Sequence, residues 1–387
     1  MYEWDLVTVQ KKRLGDAPNF ATLTTQRANL QFRGWDLAHA VVKADFLDER
    51  NLTIPGIAFL LQVDSILKLG ASPIALADGA SAALNDVSLS SLAGRAAQGI
   101  SILYAHSLGL TFVGHLRSHV LALPPGSPGL AYAKKAMADF LFVDSKLKKR
   151  VLVESKGSFS SMKNDPTAIK STLKTSLERQ IDPWMGRLNP PANNGYVIYS
   201  CIREQSWAPS ALFVVDPEGE QGEDAEIPFT TDQVIRMNYA GWLRAMGLPA
   251  AAIRLLRPPS APRAQVTTIV RDRVSGSDTS FKVEEAENVE FLVQVVEGRR
   301  FAFRSATLPR SVQREPWVSF GLAVGIDIAV LDAISKAIEN PGKDLEVPVN
   351  EAPNLLANPD TPVSIFPDGT LFGSVEFNVQ ERLVFRL

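Results

Sequence analysis

The chain holds a single cysteine, Cys201, and four histidines among 387 residues. One thiol cannot build a disulfide framework or a thiolate zinc site, so the sequence fits a reducing compartment, and a cytoplasmic location is expected. Cys201 lies in an apolar run, GYVIYSCI at 195–202, and reads as a small core residue. No run of about eighteen apolar residues occurs, which argues against a membrane span. The nearest candidate, 318–330, is interrupted by Asp327 and reads as buried core. The opening residues, MYEWDLVTVQ, lack the basic start and apolar core of a secretion signal. Formal net charge is only −2, so no global field attracts a polyanion and any nucleic-acid surface must be a local patch. His115 and His119 have the four-residue spacing of a metal pair on a helix. No third ligand lies near them in sequence, and they read as solvated strand or loop histidines.

What is present is a globular composition, 45% hydrophobic and 21% charged, with length for two or three domains. Residues 1–90 form a mainly helical region, either a separate module or an N-terminal part of the next domain. Within it, WDLAHAVVKADF at 35–46 has helical spacing, and its His39 is expected on a packed or partly exposed helix surface. Residues 91–257 alternate helical and strand patterns. A helix is expected over 91–108, and a strand over 110–113 that continues through 114–120. RPPSAPR at 257–263 is the clearest linker. Residues 264–387 are β-rich, with a Glu-Gly hairpin turn at 297–298 and a Pro-Asp-Gly turn at 367–369. Arg271, Arg273, Arg299, Arg300 and Arg304 are candidates for a basic face there, against an evenly charged surface as the simpler account. The fold class expected is α/β of the α+β kind, with a mixed central sheet flanked by helices and a separate β-rich α+β C-terminal domain.

The most informative stretch is DFLFVDSKLKKRVLVESKGSF at 139–159. It reads as an apolar strand at 140–143, a basic turn at 145–149 and a second strand from Arg150 to Glu154 and beyond. Strand side chains alternate with period two, so Glu154 and Lys156 share a face. A tight hairpin brings Asp139 beside them. An exposed strand carrying an ion pair is the competing account of Glu154 and Lys156. Against it, VLV at 151–153 is continuously apolar, as in a strand covered on both faces. Two carboxylates at the lip of a core repel unless a cation lies between them, and oxygen ligands suit Mg²⁺ or Mn²⁺.

These residues resemble the active-site hairpin of the PD-(D/E)xK phosphodiesterase superfamily, the restriction-endonuclease-like fold. In that family an Asp opens one strand, an acidic-x-Lys triplet lies on the next, and a helix and another strand follow. Asp139, Glu154 and Lys156 take the three places. The residue before Asp139 is Ala138 where the motif's name has Pro, and Asp144 is a rival for the first carboxylate. The resemblance covers residues 92–203. It implies a metal-dependent nuclease acting on DNA, in restriction or anti-phage defence. It also implies a metal held by Asp139, Glu154 and the Ser155 carbonyl, and a catalytic set of Asp139, Glu154, Lys156 and Gln180. Gln180 enters because some members carry a Gln on the helix after the hairpin. Phosphate contacts are expected from the 146–150 turn, with Lys146, Lys148 and Lys149, and from Lys163, Lys170 and Lys174 around the following helix. DNA is the expected partner, with a further copy of the chain or a partner protein beside it. The alternatives are a non-catalytic nucleic-acid-binding or scaffold subunit of a defence complex, and a toxin-type RNA nuclease.

Overall fold

The computed structural model describes residues 3–11, 29–47, 59, 62–63, 65–68, 71, 73–83, 86–144, 149–160, 166–204, 209–215, 227–257, 267–271, 278–282, 287–304, 320–349, 361–377 and 381–387. They divide into two units, Met1–Val234 with Asn354–Pro362, and Ile235–Pro353 with Val363–Leu387. The division falls inside the helix Thr231–Ala245, ahead of the Pro-rich segment that the sequence marks as a linker. Most of that segment, 258–263, lies outside the described residues. The protein is a mixed α/β molecule with open sheets.

The first unit is built on a seven-stranded sheet. Its strands are β1 (Glu3–Lys11), β2 (Leu30–Arg33), β3 (Phe112–His115), β4 (Phe140–Val143), β5 (Arg150–Ser160), β7 (Asn194–Arg203) and β8 (Ala211–Val215). A separate parallel pair joins β6 (Leu188–Asn189) to β9 (Ile227–Pro228). The seven lie in the order β2-β1-β8-β7-β5-β4-β3. Pairing is parallel between β1 and β8 and between β5 and β7, and antiparallel elsewhere. β1 and β2 therefore extend the same sheet, although the sequence had suggested mainly helix before residue 90. The helix α1 (Gly34–Leu47) does fall where WDLAHAVVKADF sets its apolar stripe. Its His39 is fully buried, and its Asp45 pairs with Arg95.

Two glycines show what covers the sheet. A Cβ on Gly157 of β5 would stand 2.6 Å from the Ala93 carbonyl and the Ala97 Cβ of the helix α2 (Asp86–Ser107). A Cβ on Gly195 of β7 would stand 2.4 Å from Ile181 Cγ2 and 3.2 Å from Met185 Sδ. Gly195 is registered with Leu152, which differs in parity from Gly157, so the two glycines face opposite sides. Helix α2 covers one side, and the segment around Ile181 and Met185 covers the other. This is why β4 and the start of β5 are apolar without alternation.

The chain after β3 departs from the expected strand. Leu116–Leu121 forms a short helix, α3, which His115 caps by accepting the Ser118 N–H at its Nδ1. Leu116 and Val120 are buried four residues apart, and a four-residue apolar spacing can serve either period in so short a run.

The helical segment after β5 has three parts: α4 (Pro166–Ser176), a π-helical turn (Leu177–Ile181) and α5 (Asp182–Met185). Ile169, Leu173, Leu177 and Ile181 recur every fourth residue, and all four are buried. A strict four-residue repeat drifts by about 40° per step around a 3.6-residue turn. The wider π turn takes up that drift and keeps Leu177 and Ile181 on the sheet side.

The second unit carries a six-stranded antiparallel sheet in the order β15-β16-β14-β13-β12-β17. These strands are β12 (Asn288–Val296), β13 (Arg299–Arg304), β14 (Phe320–Asp327), β15 (Val363–Ile365), β16 (Thr370–Glu376) and β17 (Glu381–Arg386). β10 (Thr267–Arg271) and β11 (Asp278–Lys282) form a pair apart. The helices here are α6 (Thr231–Ala245), α7 (Pro249–Leu256) and α8 (Ile328–Glu339). The turn between β12 and β13 places Glu297 and Gly298 both at positive φ, +49° and +75°, as a two-residue hairpin of matching twist requires. The Pro-Asp-Gly turn joins β15 to β16 and buries Asp368. Its carboxylate accepts from Asn238 Nδ2 at 2.8 Å and from Thr370 Oγ1 at 2.7 Å. Of the proposed basic face, Arg299 pairs with Asp327, Arg300 with Glu381, and Arg304 donates to the Gly247 carbonyl. These three are structural cations rather than an open positive surface. Arg273 and the side chain of Arg271 lie outside the described residues.

Candidate active site

The hairpin register decides which carboxylates meet. Phe140 is opposite Val153, so Asp139 falls opposite Glu154 at the edge of the ladder. Residues directly opposed in a sheet share a face. Asp139 Oδ2 accepts the Ser155 backbone N–H at 3.0 Å, which pins the carboxyl over β5. Asp144, the rival, follows the other end of β4, roughly 17 Å away along the strand at about 3.4 Å per residue. It is buried beside the turn, with its N–H donating to the Lys149 carbonyl. Asp139 is thus the carboxylate that faces Glu154.

Glu154 is the floor of the site, with 1% of its side chain exposed. Its Oε1 receives two donors. One is the Lys156 ammonium, from the same face of the same strand and one-third exposed. The other is Gln180 Nε2 at 2.7 Å, from the π turn above. The same amide nitrogen also lies 3.2 Å from the Met137 carbonyl, so Gln180 ties the approach to β4 to the site. Glu154 Oε2 is buried and has no hydrogen-bond partner among the described residues. Burial pushes the Glu154 carboxyl up to about 8, and the neighbouring Asp139 charge adds to the rise. Lys156 and Gln180 act in the opposite direction. Burial outweighs the ammonium because desolvation of a carboxylate costs several kcal/mol, which one partly exposed cation only partly offsets.

The hard-oxygen donors available are the Asp139 carboxylate, the orphaned Glu154 Oε2 and the Ser155 carbonyl. The Ser155 N–H points to Asp139, and in an extended strand the carbonyl of the same residue turns to the same edge. Among the described residues no three of His, Cys, Asp and Glu converge on one point. Two carboxylates match Mg²⁺, which keeps several waters and binds through one or two carboxylates plus substrate phosphate.

Of the expected phosphate-contacting lysines, Lys149 and Lys174 have described side chains. Lys146, Lys148 and Lys163 lie outside the described residues, as does the side chain of Lys170 on α4. Lys149 is exposed next to the start of β5. Lys174 is exposed and lies 3.6 Å from Glu178. Arg150, read as part of the basic turn, is 3% exposed and donates to the Phe229 carbonyl, so it cannot reach a phosphate. His119, expected in solvent, is buried and stacked on Phe229, with ring centroids 3.7 Å apart. Its Nε2 lies 2.6 Å from the Pro228 carbonyl. Burial lowers it to about 4, so it is neutral at physiological pH.

Two contributors were missed in the sequence. Trp184 donates from Nε1 to the Ala136 carbonyl at 2.8 Å, bracing the segment that leads into Asp139. Tyr132 lies on the turn just upstream and packs edge-on against Trp184. Their signal was an aromatic on either side of the motif, a pattern that core packing produces equally well. Among the described residues no helix is long and apolar enough to cross a membrane. Comparison with protein-family models, curated proteins and solved structures yields no match.

Proposed function

We propose that the protein is a metal-dependent phosphodiesterase with a restriction-endonuclease-like core, acting on DNA. The observation that carries this reading is the meeting of Asp139, Glu154, Lys156 and Gln180 on one face. There a buried carboxylate keeps an unpartnered oxygen beside a second carboxylate. The succession of β4, β5, the α4–α5 segment and β7 has the order that the resemblance calls for.

Asp139, Glu154 and the Ser155 carbonyl would hold a Mg²⁺ or Mn²⁺ ion. Such an ion supplies charge relief at the phosphate and acidifies a water. The chain's own groups do the rest. Lys156 Nζ, one-third exposed, can leave Glu154 and donate to a non-bridging phosphate oxygen or orient the attacking water. Gln180 keeps Glu154 Oε1 engaged, so that Oε2 stays turned to the ligand side. Asp139 is fixed by the Ser155 N–H, which limits the motion of the first carboxylate.

The test is incubation of the purified chain with labelled DNA and labelled RNA in Mg²⁺, Mn²⁺ or EDTA. Cleavage of DNA that needs the metal, and is abolished by Glu154→Ala or Lys156→Ala in a folded protein, is expected. Cleavage that survives both substitutions or proceeds in EDTA removes the mechanism. Binding without hydrolysis at any metal concentration points to a scaffold subunit, and cleavage confined to RNA to a toxin-type enzyme.

A further inference from the structure

An aromatic–cation cluster lies beside the carboxylates, on the segment that leads into Asp139. Tyr132 ends the 3₁₀ turn Pro128–Tyr132. Lys135 Nζ is 4.9 Å from the centroid of its ring, and the Arg187 guanidinium carbon is 4.7 Å from it. Arg187 also lies 5.9 Å from the Trp184 ring. Lys134 and Lys135 are exposed, and Arg187 is half-buried. Among the described residues no carboxylate forms an ion pair with any of the three.

That combination has a physical consequence. An aromatic face fixes a cation in place without cancelling its charge, whereas a carboxylate would neutralise it. The planar edge of the Arg187 guanidinium keeps its N–H groups for bidentate contact with the oxygens of an anion such as phosphate. The cluster is also stitched to the site. Trp184 holds the Ala136 carbonyl, and one turn earlier Gln180 holds both the Met137 carbonyl and Glu154 Oε1.

We propose that Lys135 and Arg187, held around Tyr132, form with the neighbouring exposed Lys134 the phosphate-contacting surface that grips the DNA strand flanking the bond to be cut. The inference rests on the reading of Asp139, Glu154 and Lys156 as a phosphodiester-cleaving site. It places substrate contacts on the segment upstream of β4, in addition to those expected from the 146–150 turn and α4.

The test is anisotropy titration of a fluorescein-labelled DNA duplex with the full chain in EDTA, between about 50 and 200 mM salt. Lys135→Ala with Arg187→Ala is expected to weaken binding by at least about tenfold at the low-salt end. It should also flatten the slope of log affinity against log salt by about 1.8, or 0.9 per lost contact. Tyr132→Phe, which keeps the ring face, and Lys336→Ala, a lysine paired with Asp332 in the other unit, should leave the slope unchanged. Lys135→Glu alone, at an exposed position, gives the same direction of change if the double variant folds poorly. Unchanged affinity and slope in both the double variant and Lys135→Glu, with wild-type cleavage intact, overturns the surface and leaves the cleavage reading standing. A wild-type chain that neither binds nor cleaves DNA with any metal removes both.

Discussion

Glu154→Gln keeps the shape of the side chain and removes its charge, so its effect on stability reports directly on a buried carboxyl that resists ionisation. The folded-state carboxyl is raised to about 8, against roughly 4.3 for an unperturbed glutamate. Between those values the folded chain holds a proton that the unfolded chain has lost. Stability of the metal-free protein therefore falls as pH rises through that window, and is fully kept below the lower value. At about 1.4 kcal/mol for each tenfold, the shift sets an upper bound of roughly 5 kcal/mol. Local relaxation and water entry reduce it to about 2–3 kcal/mol. In the variant, the Gln carbonyl can still accept from Gln180, and Lys156 can turn to solvent. Urea unfolding in EDTA at pH 5, 7 and 9, followed by hydrogen exchange on peptides from β4 and β5, isolates this part of the chain. Near pH 5 the two proteins should be nearly equal, and at pH 9 the Gln variant should be the more stable by about 2–3 kcal/mol. An offset that does not change with pH, or a wild type that gains stability across the window, would refute the placement of Glu154 as a buried acid.

Three further outcomes follow from the same geometry. Gln180→Ala removes the donor that orients Glu154 and should slow Mg²⁺-dependent cleavage by about 10- to 100-fold while leaving the unfolding free energy within about 1 kcal/mol, checked by single-turnover kinetics beside urea curves. Gly195→Ala puts a methyl 2.4 Å from Ile181 and must displace the π turn, so it should destabilise by about 1–3 kcal/mol and reduce cleavage as well. Gly157→Ala, against helix α2 on the opposite side of the sheet, should cost similar stability with less effect on the rate of the folded fraction.

The site was legible in the sequence because it rests on short-range rules. Period two fixed the common face of Glu154 and Lys156, and a short hairpin brought Asp139 to them. Gln180 was reachable only through the resemblance. The π turn that aims it is a response to packing of Leu177 and Ile181 on the sheet, which local spacing hints at without specifying. The surroundings of the basic residues were not legible, for a different reason. A run of basic residues gives composition, and whether a cation is buried like Arg150, paired like Lys174 or held on a ring like Lys135 depends on the packing around it, which composition does not show. The same holds for α3, where His115 supplies the cap in place of the usual Ser, Thr, Asp or Asn, and for the Arg299–Asp327 and Arg300–Glu381 pairs. In the second unit the turn chemistry at 297–298 and 367–369 was readable from Gly and Asp alone. The burial of Asp368 under Asn238 and Thr370 was not, since nothing local separates a solvated turn aspartate from a buried one.

Titration calorimetry of Mn²⁺ into the wild-type chain, Asp139→Asn and Glu154→Gln, near pH 7.5 in two buffers of different ionisation heat, bears most directly on whether these carboxyls hold a cation. One ion per wild-type chain, bound with release of a proton from Glu154 and lost in both variants, is the expected result. No binding at millimolar Mn²⁺, or binding that persists undiminished when both carboxyls are neutralised, would contradict it.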